Sequence, residues 1–225
     1  MLNSIPFFVT VIFIATVLLT FFLLSKATDN NKTVAIISAL WLLLNAALAL
    51  GGYYKNTSTT PPHFFLAIMP PLVVMVLVFT TRKGKQLVSD TDIRMLTLLS
   101  VVRIPVEIVL YWLFLNKAVP ELMTFAGRNF DIISGLTSPV VYFLCFQGKV
   151  VRNKKILLAW NFISLLLLLN IVINAVFSAP FSFQQFAFDQ PNIAVLYFPF
   201  VWLPCYIVMV VLFSHLVSIK KLTSI

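Results

Sequence analysis

Arg103 and Glu107 stand four residues apart inside an apolar run, the spacing that puts two side chains on one helix face. In lipid either charge alone costs several kcal/mol, roughly 2.5–3.5 on insertion scales, so the residues are expected to pair or to serve a site. Pairing would lock this helix to its neighbours. A site would use the same charges for a ligand or a proton. If Arg103 is unpaired, it favours an anionic group on the ligand; if paired, it leaves the pocket near neutral. Pro105, between them, interrupts helical hydrogen bonding.

A second cluster follows within about thirty residues: Glu121, Met123, Thr124, Arg128, Asn129 and Asp131. Asn129 has the chemistry of an N-cap, with Asp131 in the first turn of the next helix and Arg128 as its partner. The apolar MTFAG between Glu121 and Arg128 makes a re-entrant element the alternative. Single polar residues complete the set: Asn45, Ser134, Thr137, Ser138, Asn170 and Asn174, with Tyr197 and Trp202. Each taken alone is ordinary packing between membrane helices. Glu107 with Tyr111, Ser134 with Ser138, and Asn170 with Asn174 recur at helical spacing, and lipid cannot satisfy such stripes. The expectation is therefore a polar cavity opening outward, with Arg103 at its floor, the 117–131 link beside its mouth, and Tyr197 and Trp202 as an aromatic wall.

The elements that must hold these residues are membrane helices. The 225 residues are 60% apolar and only 10% charged, against about 25% charged in soluble domains. So much apolar surface implies lipid as solvent, with the bilayer as the first partner. Seven runs approach the ~20 residues a crossing needs: 5–25, 33–53, 62–81, 95–116, 130–147, 156–177 and 192–217. The first lacks a basic leader and carries Lys26 after its apolar run, so it reads as a retained span. The expected fold is thus all-α, residues 1–225 forming one seven-helix transmembrane domain.

Twelve Lys and Arg fall in one set of links, from Lys26 to Lys221, and three (Lys55, Lys117, Arg128) in the other; Arg103 completes the sixteen. The positive-inside rule then places the N-terminus outside and the C-terminus in the cytoplasm of a multi-pass protein of the cell or bacterial inner membrane. The net charge of +9 follows from this topology and calls for no nucleic-acid partner. The outer links are aromatic, with Phe181, Phe183, Phe186 and Phe188 in the 178–191 link. That link is expected to anchor at the headgroups, or else to cap the bundle. Cys145 and Cys205 are expected as buried thiols without a disulfide.

Several chemistries are excluded. HExxH, GxSxG and Walker motifs are absent, and His63 and His215 fall at opposite ends of the expected bundle, so no metal or haem cofactor is anticipated. The layout resembles that of microbial rhodopsins, but the last span lacks the lysine that a retinal Schiff base requires. It also matches the three-plus-one-plus-three layout of sweet and PQ-loop transporters, without a Pro-Gln dipeptide. Residues 123–132, MTFAGRNFDI, resemble segments of uncharacterised bacterial seven-helix integral membrane proteins, a likeness that implies no activity.

The expected function is binding, and transport, of a small or amphipathic, lipid-like ligand. Its site draws on Arg103, Glu107, Tyr111, Arg128, Asn129, Asp131, Ser138, Asn170, Asn174, Tyr197 and Trp202. The alternatives are a sensor without catalysis and an intramembrane enzyme using Glu107 or Asp131 as general acid or base.

Overall fold

Long apolar runs that satisfy their own backbone can only be helical in lipid, and the computed structural model is 72% helix. It describes residues 5–224; Met1–Ser4 and Ile225, which carry the two chain ends of the predicted orientation, lie outside the described residues. The helices are α1 (Phe7–Ala27), α2 (Lys32–Leu50), α3 (Phe65–Thr80), α4 (Arg82–Asp90), α5 (Ile93–Leu99), α6 (Arg103–Leu115), α7 (Ile132–Cys145), α8 (Lys154–Ser178) and α9 (Val208–Thr223). Between α7 and α8 lies a two-stranded antiparallel hairpin, β1 (Phe146–Gln147) and β2 (Val150–Val151).

Five helical stretches are long and apolar enough to cross a membrane: α1, α2, Ile93–Leu115, α8 and Leu203–Thr223. The pair α3–α4, bent by 87°, makes a sixth candidate, and α7 is apolar but shorter. The bend follows from Gly84. A Cβ there would stand 2.3 Å from the Val78 carbonyl oxygen, so only glycine lets α4 fold back so tightly.

Proline chemistry breaks two helices where the site needs it. Pro105 has no N–H to give the carbonyl four residues back, Val101, and the chain runs as a 3₁₀ turn over Ser100–Val102 before α6 restarts at Arg103. Pro204 falls in a π-helical turn, Leu203–Ile207, that leads into α9. This helical stretch covers Leu203–Thr223, so the run expected at 192–217 is displaced towards the C-terminus. Residues 192–201 form turns and irregular chain instead, with a 3₁₀ turn at Ala194–Leu196. His215, expected near a helix end, therefore sits well inside α9 and is buried.

The helices α1, α5, α6, α7, α8 and α9 pack as a bundle, while α2 stands at its edge. At the basic end a clasp joins five segments. The Asp92 N–H donates to the Ala27 carbonyl, Lys221 Nζ donates to the Ser89 and Thr91 carbonyls, and Arg94 Nη1 donates to the Gly148 carbonyl. At the aromatic end Phe64 meets Phe181 and Phe65 meets Phe183 at centroid distances of 5.8 and 6.4 Å. Here the 178–191 link folds over the bundle: Phe181 is buried, and Gln190 Nε2 donates to the Phe114 and Val119 carbonyls. Phe188 of the same link is 71% exposed. Cys145 and Cys205 are both free and buried.

Candidate functional site

The site begins at the restart of α6. Arg103 is its first residue and Glu107 lies one turn on; both are buried. Across from them, α7 approaches Arg103 closely because residue 135 is glycine. A Cβ there would lie 2.8 Å from Ile104 Cγ1 and 3.3 Å from Arg103 Cβ. One turn before Gly135 comes Asp131, and its Oδ1 lies 2.6 Å from Arg103 Nη1.

The ion pair is therefore Arg103–Asp131 and not the expected Arg103–Glu107. Helical spacing makes Glu107 a neighbour of Arg103, but the guanidinium extends across to α7, where the carboxylate is in direct reach. Arg103 Nη1 also donates to the Ser164 carbonyl on α8 at 3.3 Å, and Nη2 to His215 Nε2 on α9 at 2.6 Å. Arginine has no acceptor, so Nε2 must accept, and the ring proton resides on Nδ1. That N–H donates to Asn161 Oδ1 at 2.9 Å, while Asn161 Nδ2 donates to the Leu157 carbonyl.

Glu107 has a different partner. Asn129 Nδ2 donates to Glu107 Oε1 and, at 3.0 Å, to the Met123 carbonyl. Asn129 Oδ1 accepts from the Asp131 N–H at 3.0 Å. Asn129 is thus an Asx-type brace ahead of α7, in place of the expected N-cap, and the helix starts at Ile132. The 117–131 link holds this brace inside the fold through buried Met123, Thr124 and Asn129. Arg128, expected to pair with Asp131, is exposed, and its carbonyl accepts from Asn170 Nδ2 at 2.8 Å.

These groups form one chain from Glu107 through Asn129, Asp131, Arg103 and His215 to Asn161. Three of its atoms or neighbours are buried without a partner: Glu107 Oε2, Arg103 Nε and Ser134 Oγ. Arg103, Glu107 and Asp131 line a cavity of about 220 Å³ between α3, α6, α8 and the start of α9. Its other walls are apolar, including Ile68, Val106, Leu110, Ile171 and Val195, with Phe64 and Phe181 at the aromatic end. Asn192 also lines it, and its Oδ1 is unpartnered. Met69 on α3 and Val176 on α8 line the cavity while being well exposed, so it reaches the surface between those two helices.

The remaining expected site residues lie elsewhere. Tyr111 stacks on Phe125 at 5.0 Å, and Ser138 Oγ donates to the Thr97 carbonyl in the α5–α7 contact. Asn174 Nδ2 donates to the Asn170 carbonyl within α8. Tyr197 lies under Lys55 Nζ at 5.0 Å, and Trp202 Nε1 donates to the Leu42 carbonyl. Sequence reasoning missed His215, Asn161 and Asn192. The signal for His215 was the Lys220–Lys221 pair: about twenty residues counted back from it give a span that carries on past His215 instead of ending there.

No protein-family model matches this chain, and comparison with curated proteins and with solved structures finds no match.

Proposed function

We propose that this is a seven-crossing membrane protein that binds, and transports, a small amphipathic ligand in the cavity above Arg103, Glu107 and Asp131. The observation that carries this reading is the combination within one cavity: apolar walls, two carboxylates and a guanidinium, and polar atoms buried without partners. Pockets for small ligands have this composition, mostly apolar with a few fixed polar groups. Ionisable residues at membrane depth also mark substrate and ion paths. The rim between α3 and α8 offers a lateral route to a ligand dissolved in lipid.

In this reading the sixth candidate and α7 cross as well. The 14 residues of α7 rise about 21 Å, and local thinning with the polar network at its start accommodates the shortfall. The excess of Lys and Arg in one set of links puts the N-terminus outside and the C-terminus in the cytoplasm. A reporter fused after α9 is expected to face the cytoplasm; the opposite result removes this topology.

The function is tested with purified protein in proteoliposomes. Mass spectrometry of co-purified small molecules identifies a ligand, and counterflow of that molecule shows transport. Ile171→Trp, which fills the cavity, is expected to abolish both while leaving the thermal transition intact. Retention of ligand and counterflow by that variant would overturn the assignment to this cavity.

A further inference from the structure

Charge accounting in the cavity points to what it binds. Arg103 and Asp131 neutralise each other at 2.6 Å. His215 accepts from Arg103 through Nε2 and adds no positive charge in that role. Glu107 has no cationic nitrogen within salt-bridge distance among the described residues. Its Oε1 takes the amide of Asn129, and its Oε2 takes nothing. The helices around it offer no other balancing group: α8 contributes the Ser164 carbonyl, the buried face of α1 carries Thr16 and Thr20, and Glu121 on the adjoining turn is exposed.

A carboxylate in such surroundings must hold a proton or face a cation, because an uncompensated buried charge is too costly. The second unpartnered oxygen lining the cavity, Asn192 Oδ1, is also an acceptor. Arg103 Nε, the unpartnered donor among the described residues that line the cavity, would attract an anion only by adding a negative charge to two carboxylates already facing one guanidinium.

We propose that the cavity's ligand is an amphiphile bearing a protonated amine, and that its ammonium group displaces a proton from Glu107. This rests on the reading of the cavity as a ligand site. The exchange is balanced: Glu107–COOH and R–NH₃⁺ give the Glu107 carboxylate–ammonium pair and one released proton, so the net charge of the cavity is unchanged. Oε2 accepts an N–H of the ammonium while the alkyl or aryl body lies along Leu110, Ile171 and Val195. A site of this kind couples amine movement one way to proton movement the other.

The test uses the full chain in lipid nanodiscs with octylammonium, 1-octanol and octanoate as probes, titrated calorimetrically between pH 6 and 9. An alkylamine of about the lysine pKa stays charged throughout that window. Octylammonium is expected to bind most tightly. Its affinity should rise about tenfold per pH unit until Glu107 is ionised, then level off, with one proton released per ligand in the rising range. Buffers of differing ionisation heat measure that release on the unaltered protein, so no variant need fold for the idea to fail. Glu107→Gln should remove the pH dependence and Glu107→Asp should retain one. Tighter binding of octanoate, or octylammonium binding with no pH dependence and no proton release, overturns the amine assignment while leaving a ligand cavity in place. If none of the three probes binds, or Ile171→Trp binds them as well as the parent, the cavity reading itself falls.

Discussion

Arg103 and Asp131, 28 residues apart in the chain, meet at 2.6 Å with both side chains almost wholly buried. Removing one partner of such a pair leaves the other uncompensated and costs about 3–5 kcal/mol. Arg103→Met and Asp131→Asn should therefore each lower the thermal transition markedly, and the double variant should recover part of the loss. Arg103→Met with Glu107→Gln should recover less, because Glu107 is not the salt-bridge partner. Equal recovery in the two doubles would show that the guanidinium is shared and overturn the assignment.

Gly135 sets the approach that makes the pair possible. In an exposed helix interior, Gly→Ala stabilises by about 1 kcal/mol. Here the added Cβ meets Ile104 Cγ1 at 2.8 Å and the Ile104 backbone nitrogen at 3.2 Å, so overpacking of about 1–3 kcal/mol reverses the sign. Gly135→Ala should melt below the parent, and Gly135→Leu should not accumulate folded. A stabilised Gly135→Ala would mean that α7 can withdraw without loss.

Hydropathy made most helices legible, because a run of twenty apolar residues has one physical explanation in lipid. The last was misplaced because residues 192–201 are as apolar as a helix, yet they fold as turns packed under the aromatic end. Hydropathy does not distinguish lipid-facing apolar residues from those buried under a loop. At the site, Arg103, Glu107, Asn129 and Asp131 stood out by type alone, since charge and amide inside an apolar chain need a reason. Their pairing did not, because i, i+4 spacing reports neighbours on one helix and is silent about a residue reaching across from another. The Asn170–Asn174 stripe was real as a pattern, but its amides are satisfied by backbone carbonyls beside the cavity, among them that of Arg128.

At the basic end, Asp92 links the start of α5 to the clasp. Burial pushes its carboxyl up, but hydrogen bonds from the Arg94 side chain and backbone, with the Arg94 charge, outweigh this and hold it below the usual carboxylate value. A carboxyl depressed by folding stabilises the protein above its unfolded pKa of about 3.9, and this contribution is lost as pH falls through the lower folded value. The pair is partly exposed, so the contribution is expected to be within about 1 kcal/mol. The difference in melting temperature between the parent and Asp92→Asn should thus be present at pH 7 and shrink below about pH 4. No difference at any pH would mean that Asp92 acts through its backbone contact to Ala27 alone.

The tautomer of His215 is the sharpest structural consequence of the network. Its Nε2 faces a guanidinium that can only donate, and its Nδ1 faces an amide oxygen whose own nitrogen is already donating to Leu157. Both contacts require a neutral ring with the proton on Nδ1. Nitrogen NMR of histidine-labelled protein should show, for His215, a protonated Nδ1 and an unprotonated Nε2. His215→Phe strands an Arg103 donor and the Asn161 oxygen, and should cost about 1–3 kcal/mol for each group left buried without a partner. His215→Gln, whose amide oxygen can still accept from Arg103, should cost less than His215→Phe. A ring found protonated on Nε2, or a His215→Phe variant as stable as the parent, would break the network at this link and detach α9 from the site.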